Sequence, residues 1–185
     1  MKIVADLHIH SKFSRATSPN MNLESLTYWA RLKGIKLMGT GDFTQPTWFS
    51  ELESKMKETK KGSGFYTIDD EEPQINFVPT AEISCIYTKN GKCRRNHIVL
   101  IAPSLKDAKK INNVLGKKGN LVSDGRPILG IDSEVLAKTI LDVAPKTIIM
   151  PAHIWTPWFS MFGSKSGFDS VEECFGDQTK NIFAI

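Results

Sequence analysis

Short apolar runs alternate along this chain with segments patterned as helices, and most of the runs end on a residue able to bind a metal. Lys2–Leu7 runs into His8 and His10, Leu37–Gly41 into Asp42, and Thr147–Pro151 into His153. Glu82 interrupts the run Asn76–Ile86, and His97 stands at the start of Asn96–Ala102. Between these expected strands, Asn22 is placed to cap a helix carrying Leu23, Leu26, Ala30 and Lys33, which Gly34 stops. Pro46 starts another, with Trp48, Leu52 and Met56 at helical spacing. Ser104 with Asp107 resembles a capping box ahead of Leu105, Ala108, Ile111 and Leu115, and Ser133–Val143 is a further helix. Such alternation calls for an α/β fold with a mainly parallel sheet, open or closed into a barrel. In a barrel the carboxyl ends of the strands converge on one face, where residues from distant runs can meet. Asn90-Gly91 is a strong hairpin signal between the Glu82 and His97 runs.

At 185 residues, 41% hydrophobic and 24% charged, the chain suits one domain spanning residues 1–185 with a sizeable core. No apolar stretch approaches the roughly 20 residues that cross a bilayer. An acidic residue and two histidines come too early for a signal peptide, so a cytoplasmic enzyme with no membrane contact is expected. A net charge of +4 is compatible with a polyanionic partner but discriminates weakly. Cys85, Cys93 and Cys174 form no C-x-x-C pair and read as reduced thiols rather than a structural zinc site. Residues 60–73 and Gly116–Pro127 read as loops, and Trp155–Gly167 as a long aromatic loop. The last run, Asn181–Ile185, is strand-like with no polar tail, which suggests the N-terminal portion of a longer protein.

The four histidines are the chemically informative residues. His8 and His10, two apart, project to one face of an extended strand and can grip a single metal. Asp6 shares that face and is a candidate to orient an imidazole. A bare His-x-His also occurs as two polar residues at a strand end, bonded only to water or backbone. Glu82 is the sharper signal, because a carboxylate inside an apolar run is costly unless paired or metal-bound. Its bland alternative is a solvent-facing edge-strand glutamate. Asp42 follows a strand, where aspartate also serves as a turn cap. His97 and His153 complete an imidazole and carboxylate set that suits zinc or manganese. A carboxylate such as Glu82 can bridge two metals about 3.5–4 Å apart, an arrangement used in phosphoryl hydrolysis.

Other prominent residues have plainer readings. Trp29, Trp48 and Leu52 fit helix core faces, and Cys85 reads as a small buried apolar residue. Arg94 and Arg95 at the hairpin can touch phosphate or simply face water. Trp155, Trp158, Phe159 and Phe162 follow His153 and suit either base stacking or a loop folded onto the domain.

Asp6-Leu7-His8-Ile9-His10-Ser11, Gly39-Thr40-Gly41-Asp42, Glu82, His97 and His153, in that order, resemble the polymerase and histidinol phosphatase (PHP) family of metal-dependent phosphoesterases. The stretches Asp6 to Ser18, Gly39 to Thr44, Gly119 to Gly130, Pro151 to Trp158 and Phe162 to Asp169 are similar to the endonuclease Q type within it. That resemblance implies a distorted seven-stranded (β/α)7 PHP-type barrel, incomplete at its C-terminal end. It implies two or three divalent ions, zinc foremost, with manganese or magnesium as alternatives. His8, His10 and Glu82 would hold one ion, Glu82, His97 and His153 a second, and Asp42 would belong to a third site.

The chain departs from the family pattern in three places. Ser14-Arg15-Ala16 stands where many members carry an acidic residue or histidine, and Phe43 where many have a histidine. The later Asp-x-His motif that completes the first and third sites does not occur before Ile185, nor does the cysteine-rich zinc module that follows it in endonuclease Q. The resemblance therefore implies a repair endonuclease that nicks DNA 5′ of deaminated bases, of which this piece alone binds metal weakly and lacks full activity. Arg15, Arg94, Arg95, Trp155 and Lys165 would contact the DNA, Arg15 at the scissile phosphate, with a sliding clamp or helicase as a further partner. The rivals are a PHP-type small-molecule phosphatase and a non-catalytic DNA-binding accessory domain of a helicase or repair protein.

Overall fold

The computed structural model describes residues 2–185. Its elements follow in the order β1 (Ala5–Asp6), α1 (Leu23–Lys33), β2 (Leu37–Gly39), α2 (Pro46–Lys55), β3 (Lys57–Glu58), β4 (Tyr66–Thr67) and β5 (Asn76–Val78). They continue with β6 (Thr80–Lys89), β7 (Lys92–Ile101), α3 (Leu105–Leu115), β8 (Ile128–Leu129), α4 (Ser133–Val143), β9 (Ile148–Pro151) and α5 (Val171–Phe175), then a 3-10 turn at Gly176–Asn181. Helix ends fall where their capping residues stand. The Asn22 side chain accepts the Ser25 amide, and left-handed Gly34 closes α1. Ser104 accepts the Asp107 amide at the start of α3, and Asp132 that of Glu134 at the start of α4.

The strands form two sheets, in the orders β1-β2-β5-β4-β3 and β8-β6-β7-β9. In the first, β1, β2 and β5 are parallel, and β3 and β4 extend the sheet antiparallel. The second is built on the β6–β7 hairpin, whose turn residues Asn90 and Gly91 both take positive φ, as a type I′ turn requires. β8 joins β6 in parallel and β9 joins β7 antiparallel. The α/β class therefore holds, but the sheets are less parallel than the alternation implies, and no closed barrel forms among the described residues.

Pro79 explains much of this division. The run Asn76–Ile86 reads as one strand, yet Pro79 has no N–H to continue a ladder, and it separates β5 in one sheet from β6 in the other. Two buried threonines clasp the junction. The Thr80 amide donates to the Thr40 hydroxyl at 3.1 Å, and the Thr80 hydroxyl accepts the Gly41 amide at 2.9 Å. The Phe43 amide donates to the Thr80 carbonyl at 3.1 Å, so the loop after β2 is pinned beside the start of β6.

Strand alternation then sorts the hairpin. Ala81, Ile83 and Cys85 of β6, with Ile98 and Leu100 of β7, enter a core shared with Ala108, Ile111 and Leu115 of α3 and Leu136, Ala137 and Ile140 of α4. Fully burying each large aliphatic side chain contributes about 1.5–3 kcal/mol. Trp48 and Leu52 are buried as expected, but Trp29 is 55% exposed. The buried stripe of α1 is Leu23, Leu26, Thr27 and Ala30, and Trp29 lies off it, against Tyr28.

Other boundaries shift for local reasons. Lys2–Leu7 contracts to Ala5–Asp6, and the polar stretch 60–73 contains β4, paired with β3 and β5. Asn181–Ile185 is not a strand, since nothing pairs with it among the described residues. All three cysteines are free. No helix among the described residues is long and apolar enough to cross a membrane.

Replacing Thr80 by valine keeps the shape but leaves the buried Gly41 amide without its acceptor. Urea denaturation is expected to show a loss of about 1–3 kcal/mol. An unchanged midpoint would mean that the clasp contributes nothing.

Candidate metal centre

Strand register places the central carboxylate. Ser84 of β6 lies directly opposite His97 of β7, and Glu82, two residues back, shares their face as a diagonal neighbour. Glu82 is only 2% exposed, so it is not a solvent-facing edge residue. His8 and His10 arrive on the loop leaving β1. His153 arrives on the loop leaving β9, held by the Ala152 amide, which donates to the His97 carbonyl at 2.9 Å.

All four imidazoles converge on Glu82. Its Oε1 lies 3.1 Å from His97 Nδ1 and 3.3 Å from both His8 Nε2 and His153 Nε2. Its Oε2 lies 3.1 Å from His10 Nε2 and 3.3 Å from Arg126 Nη1. Despite this crowding, Oε1 is buried and accepts no well-aligned hydrogen bond among the described residues. Two ligand groups result, His8–His10–Glu82 and Glu82–His97–His153, with the ligand atoms of each group within 4.8 Å of one another. A buried oxygen without an aligned donor, ringed by imidazole nitrogens, is the donor set that a borderline divalent cation such as zinc takes. The residues present therefore fit a pair of divalent ions that share Glu82.

Asp42 organises the approach to this cluster. It is fully buried at positive φ, and its Oδ1 accepts His10 Nδ1 at 2.8 Å. Its Oδ2 accepts the Ser11 amide (2.6 Å), the Ser11 hydroxyl (2.7 Å) and the Ser14 hydroxyl (2.9 Å). With Nδ1–H donated to Asp42, the other ring nitrogen of His10 is turned to Glu82. The carboxylate expected at a third metal site thus has both oxygens engaged by His10, Ser11 and Ser14. Asp6, expected to orient an imidazole, instead lines a separate cavity with Ile9, Met21 and Trp29. β1 ends at Asp6, so the strand alternation that would have aligned it with the histidines stops there.

The electrostatics follow from the packing. Burial pushes the Glu82 carboxyl up, but the surrounding imidazoles outweigh it and hold it well below the usual carboxylate range. Asp42, then Glu82, raise the pKa of His10 from 6.5 to about 9. His97 is shifted down, chiefly by burial.

The expected DNA contacts separate into exposed and structural residues. Arg94 and Arg95 are neighbours on β7 and so face opposite ways. Arg94 turns inward, where it pairs with Glu173, donates to the Gly167 carbonyl and stacks on Phe168. It is a buried structural residue, which corrects the expectation of a DNA contact. Arg95 is on the His97 face, 5.4 Å over Trp158. Arg15 has 88% of its side chain exposed, and Trp155 is 77% exposed against Phe162. Lys165 is also exposed. Phe159 packs on the His97 ring, 4.9 Å between centroids. Arg126 was not singled out from the sequence. It lies within the similar stretch Gly119 to Gly130, but no local pattern links it to Glu82.

No family model matches the chain. It is 33% identical over 153 residues to an uncharacterized protein of Methanocaldococcus jannaschii, covering 82% of this chain and 16% of that protein. Among solved structures it is similar to endonuclease Q in complex with a 27-mer duplex substrate carrying an abasic lesion at the active site. That likeness has 32% identity and a TM-score of 0.78, and covers 94% of this chain. The lesion-specific endonuclease PfuEndoQ from Pyrococcus furiosus is similar at 31% identity and the same TM-score of 0.78, over 95% of this chain. The chain spans 40% of the length of each of these two structures.

His10 makes the metal-free centre pH-dependent. Its folded pKa lies above the unfolded value of 6.5, so the stability it contributes is complete below about pH 6.5 and is lost as pH rises through about 9. In chelator, the stability difference between wild type and His10→Gln is expected to be largest near pH 6 and to shrink towards pH 9 in urea titrations. A difference that grows over this range would contradict the assignment.

Proposed function

We propose that this chain carries the metal centre of a DNA repair endonuclease, which hydrolyses a phosphodiester 5′ of a deaminated base such as deoxyuridine or deoxyinosine. The observation that carries the reading is one buried carboxylate, Glu82, common to two three-ligand groups. The likeness to two endonuclease Q structures, one of them holding a DNA duplex at its active site, supports DNA over a small phosphate ester as the substrate. The PHP-type barrel is the corresponding fold proposal.

His8, His10 and Glu82 would hold one ion, and Glu82, His97 and His153 the other, with zinc the first choice and manganese or magnesium the alternatives. Paired divalent ions lower the pKa of a water and neutralise the phosphoryl oxygens during in-line displacement. The protein's own part is to hold the ligands still. Asp42 keeps His10 in the tautomer that turns Nε2 to Glu82, and Phe159 packs the His97 ring in place. Arg15, Arg95 and Lys165 would contact the DNA backbone, giving a salt-sensitive affinity. Trp155 would stack on an unpaired base.

Glu82→Gln and His8→Ala, each in the full-length protein, are expected to lose bound metal and to abolish nicking of a deoxyuridine-containing duplex. Chelation should abolish wild-type nicking, and added zinc or manganese should restore it. Wild-type rates in either variant with metal still bound would overturn the proposal. Turnover of a phosphate monoester alone would favour a phosphatase, and salt-sensitive DNA binding without metal an accessory domain.

A further inference from the structure

Arg15 is the cation that its sequence position recommends for the scissile phosphate, but its one ion pair among the described residues is with Asp124, at 3.4 Å. A different guanidinium enters the ligand cluster. Arg126 Nη1 lies 3.3 Å from Glu82 Oε2, the oxygen that His10 Nε2 approaches at 3.1 Å. Nη1 is the only side-chain donor of Arg126 with a hydrogen-bond partner among the described residues. With 35% of its side chain exposed, Arg126 lines a cavity of about 270 Å³ together with Arg15, Ser84, His97, Ser123 and Phe159, but of the two arginines only Arg126 pairs with Glu82 among the described residues.

The loop carrying Arg126 is held at several points. Asp124 Oδ1 accepts the Arg126 amide at 3.0 Å, the Gly125 amide donates to the Phe13 carbonyl at 3.0 Å, and the Pro127 carbonyl accepts the Ser84 amide at 3.0 Å. Gly125 packs directly on the carboxylate that orients His10. A Cβ there would lie 2.3 Å from Asp42 Oδ2 and 2.4 Å from Ser14 Oγ, so any larger residue would push the loop away. One buried carboxylate therefore positions both His10 and the backbone beside Arg126.

We propose that Arg126 contacts the phosphoryl oxygens of the bond that is cut. This rests on the phosphodiester reading above and names the side chain that binds the reacting group. A guanidinium presents parallel N–H donors on one edge, which match two phosphate oxygens, whereas an ammonium acts as a single point charge. Next to the carboxylate shared by both ligand groups, it stands where negative charge develops as the ester is attacked. Removing one such donor from a preorganised site costs about 10²–10³-fold in rate.

The test compares full-length wild type, Arg126→Gln and Arg126→Lys. It reads zinc content, the affinity of the zinc-loaded protein for inorganic phosphate by calorimetry, and nicking of a deoxyuridine duplex. Arg126→Gln is expected to keep wild-type zinc content while binding phosphate about ten- to a hundredfold more weakly. Its kcat should fall about 10²–10³-fold with KM for the duplex nearly unchanged. Arg126→Lys should recover part of the phosphate affinity. Wild-type phosphate affinity and kcat in Arg126→Gln would overturn the inference. So would loss of zinc, which would make Arg126 a support for the ligands instead. If wild type itself takes up no zinc and nicks nothing, the phosphodiester reading fails, and this inference fails with it.

Discussion

The buried carboxylate of Glu82 is the constraint around which the site is built. An ionised carboxylate taken out of water is strongly unfavourable unless charges or hydrogen bonds compensate it. Here the compensation is four imidazoles and a guanidinium, brought from the loop after β1, from β7, from the loop after β9 and from the loop before β8. Such a group can be kept only if those segments stay together. The centre and the local fold are thus one problem, and the residues that bring the segments together matter as much as the ligands.

Asp42 does much of that joining. Left-handed in the loop after β2, it accepts His10 on Oδ1 and both Ser11 donors on Oδ2, against which Gly125 also packs. The Thr40–Thr80 clasp fixes the same loop to the start of β6, two residues before Glu82. A carboxylate, a glycine and two hydroxyls therefore hold three loops in register around the cluster. The outer partners of a metal ligand typically affect affinity or activity by about 10–100-fold, and Asp42 stands in that relation to His10.

Much of this was legible from residue order. The helix caps at Asn22, Ser104 and Gly34 and the Asn90-Gly91 turn follow from local rules, because capping and turn conformation act within a few residues, whereas the two ligand groups join distant residues and were implied only by the family resemblance. Pro79 splits a run that hydropathy shows as continuous, and Trp29 lies beside the buried stripe of its helix rather than on it. Asp6 is two residues before His8 yet lines another cavity, because the strand that would have aligned them ends at once. Arg94 and Arg95 look alike as a pair, and only the pleat of β7 turns Arg94 inward to Glu173 and leaves Arg95 half-buried on the His97 face.

The chemical inventory is legible from residue order alone: which residues can ligate, that Glu82 is an anomaly in an apolar run, and that His8, His10 and His153 follow short apolar runs. These follow from side-chain chemistry and short-range periodicity, which need no knowledge of distant contacts. The tertiary fold alone brings Asp42 Oδ1 to His10 and its Oδ2 to Ser11 and Ser14, turns Arg94 inward to Glu173, and lets Arg126, 44 residues from Glu82, reach its carboxylate. Those outcomes depend on which loops come within hydrogen-bond reach. Reach is set by sheet order and loop packing, and neither is encoded in any local window of residues.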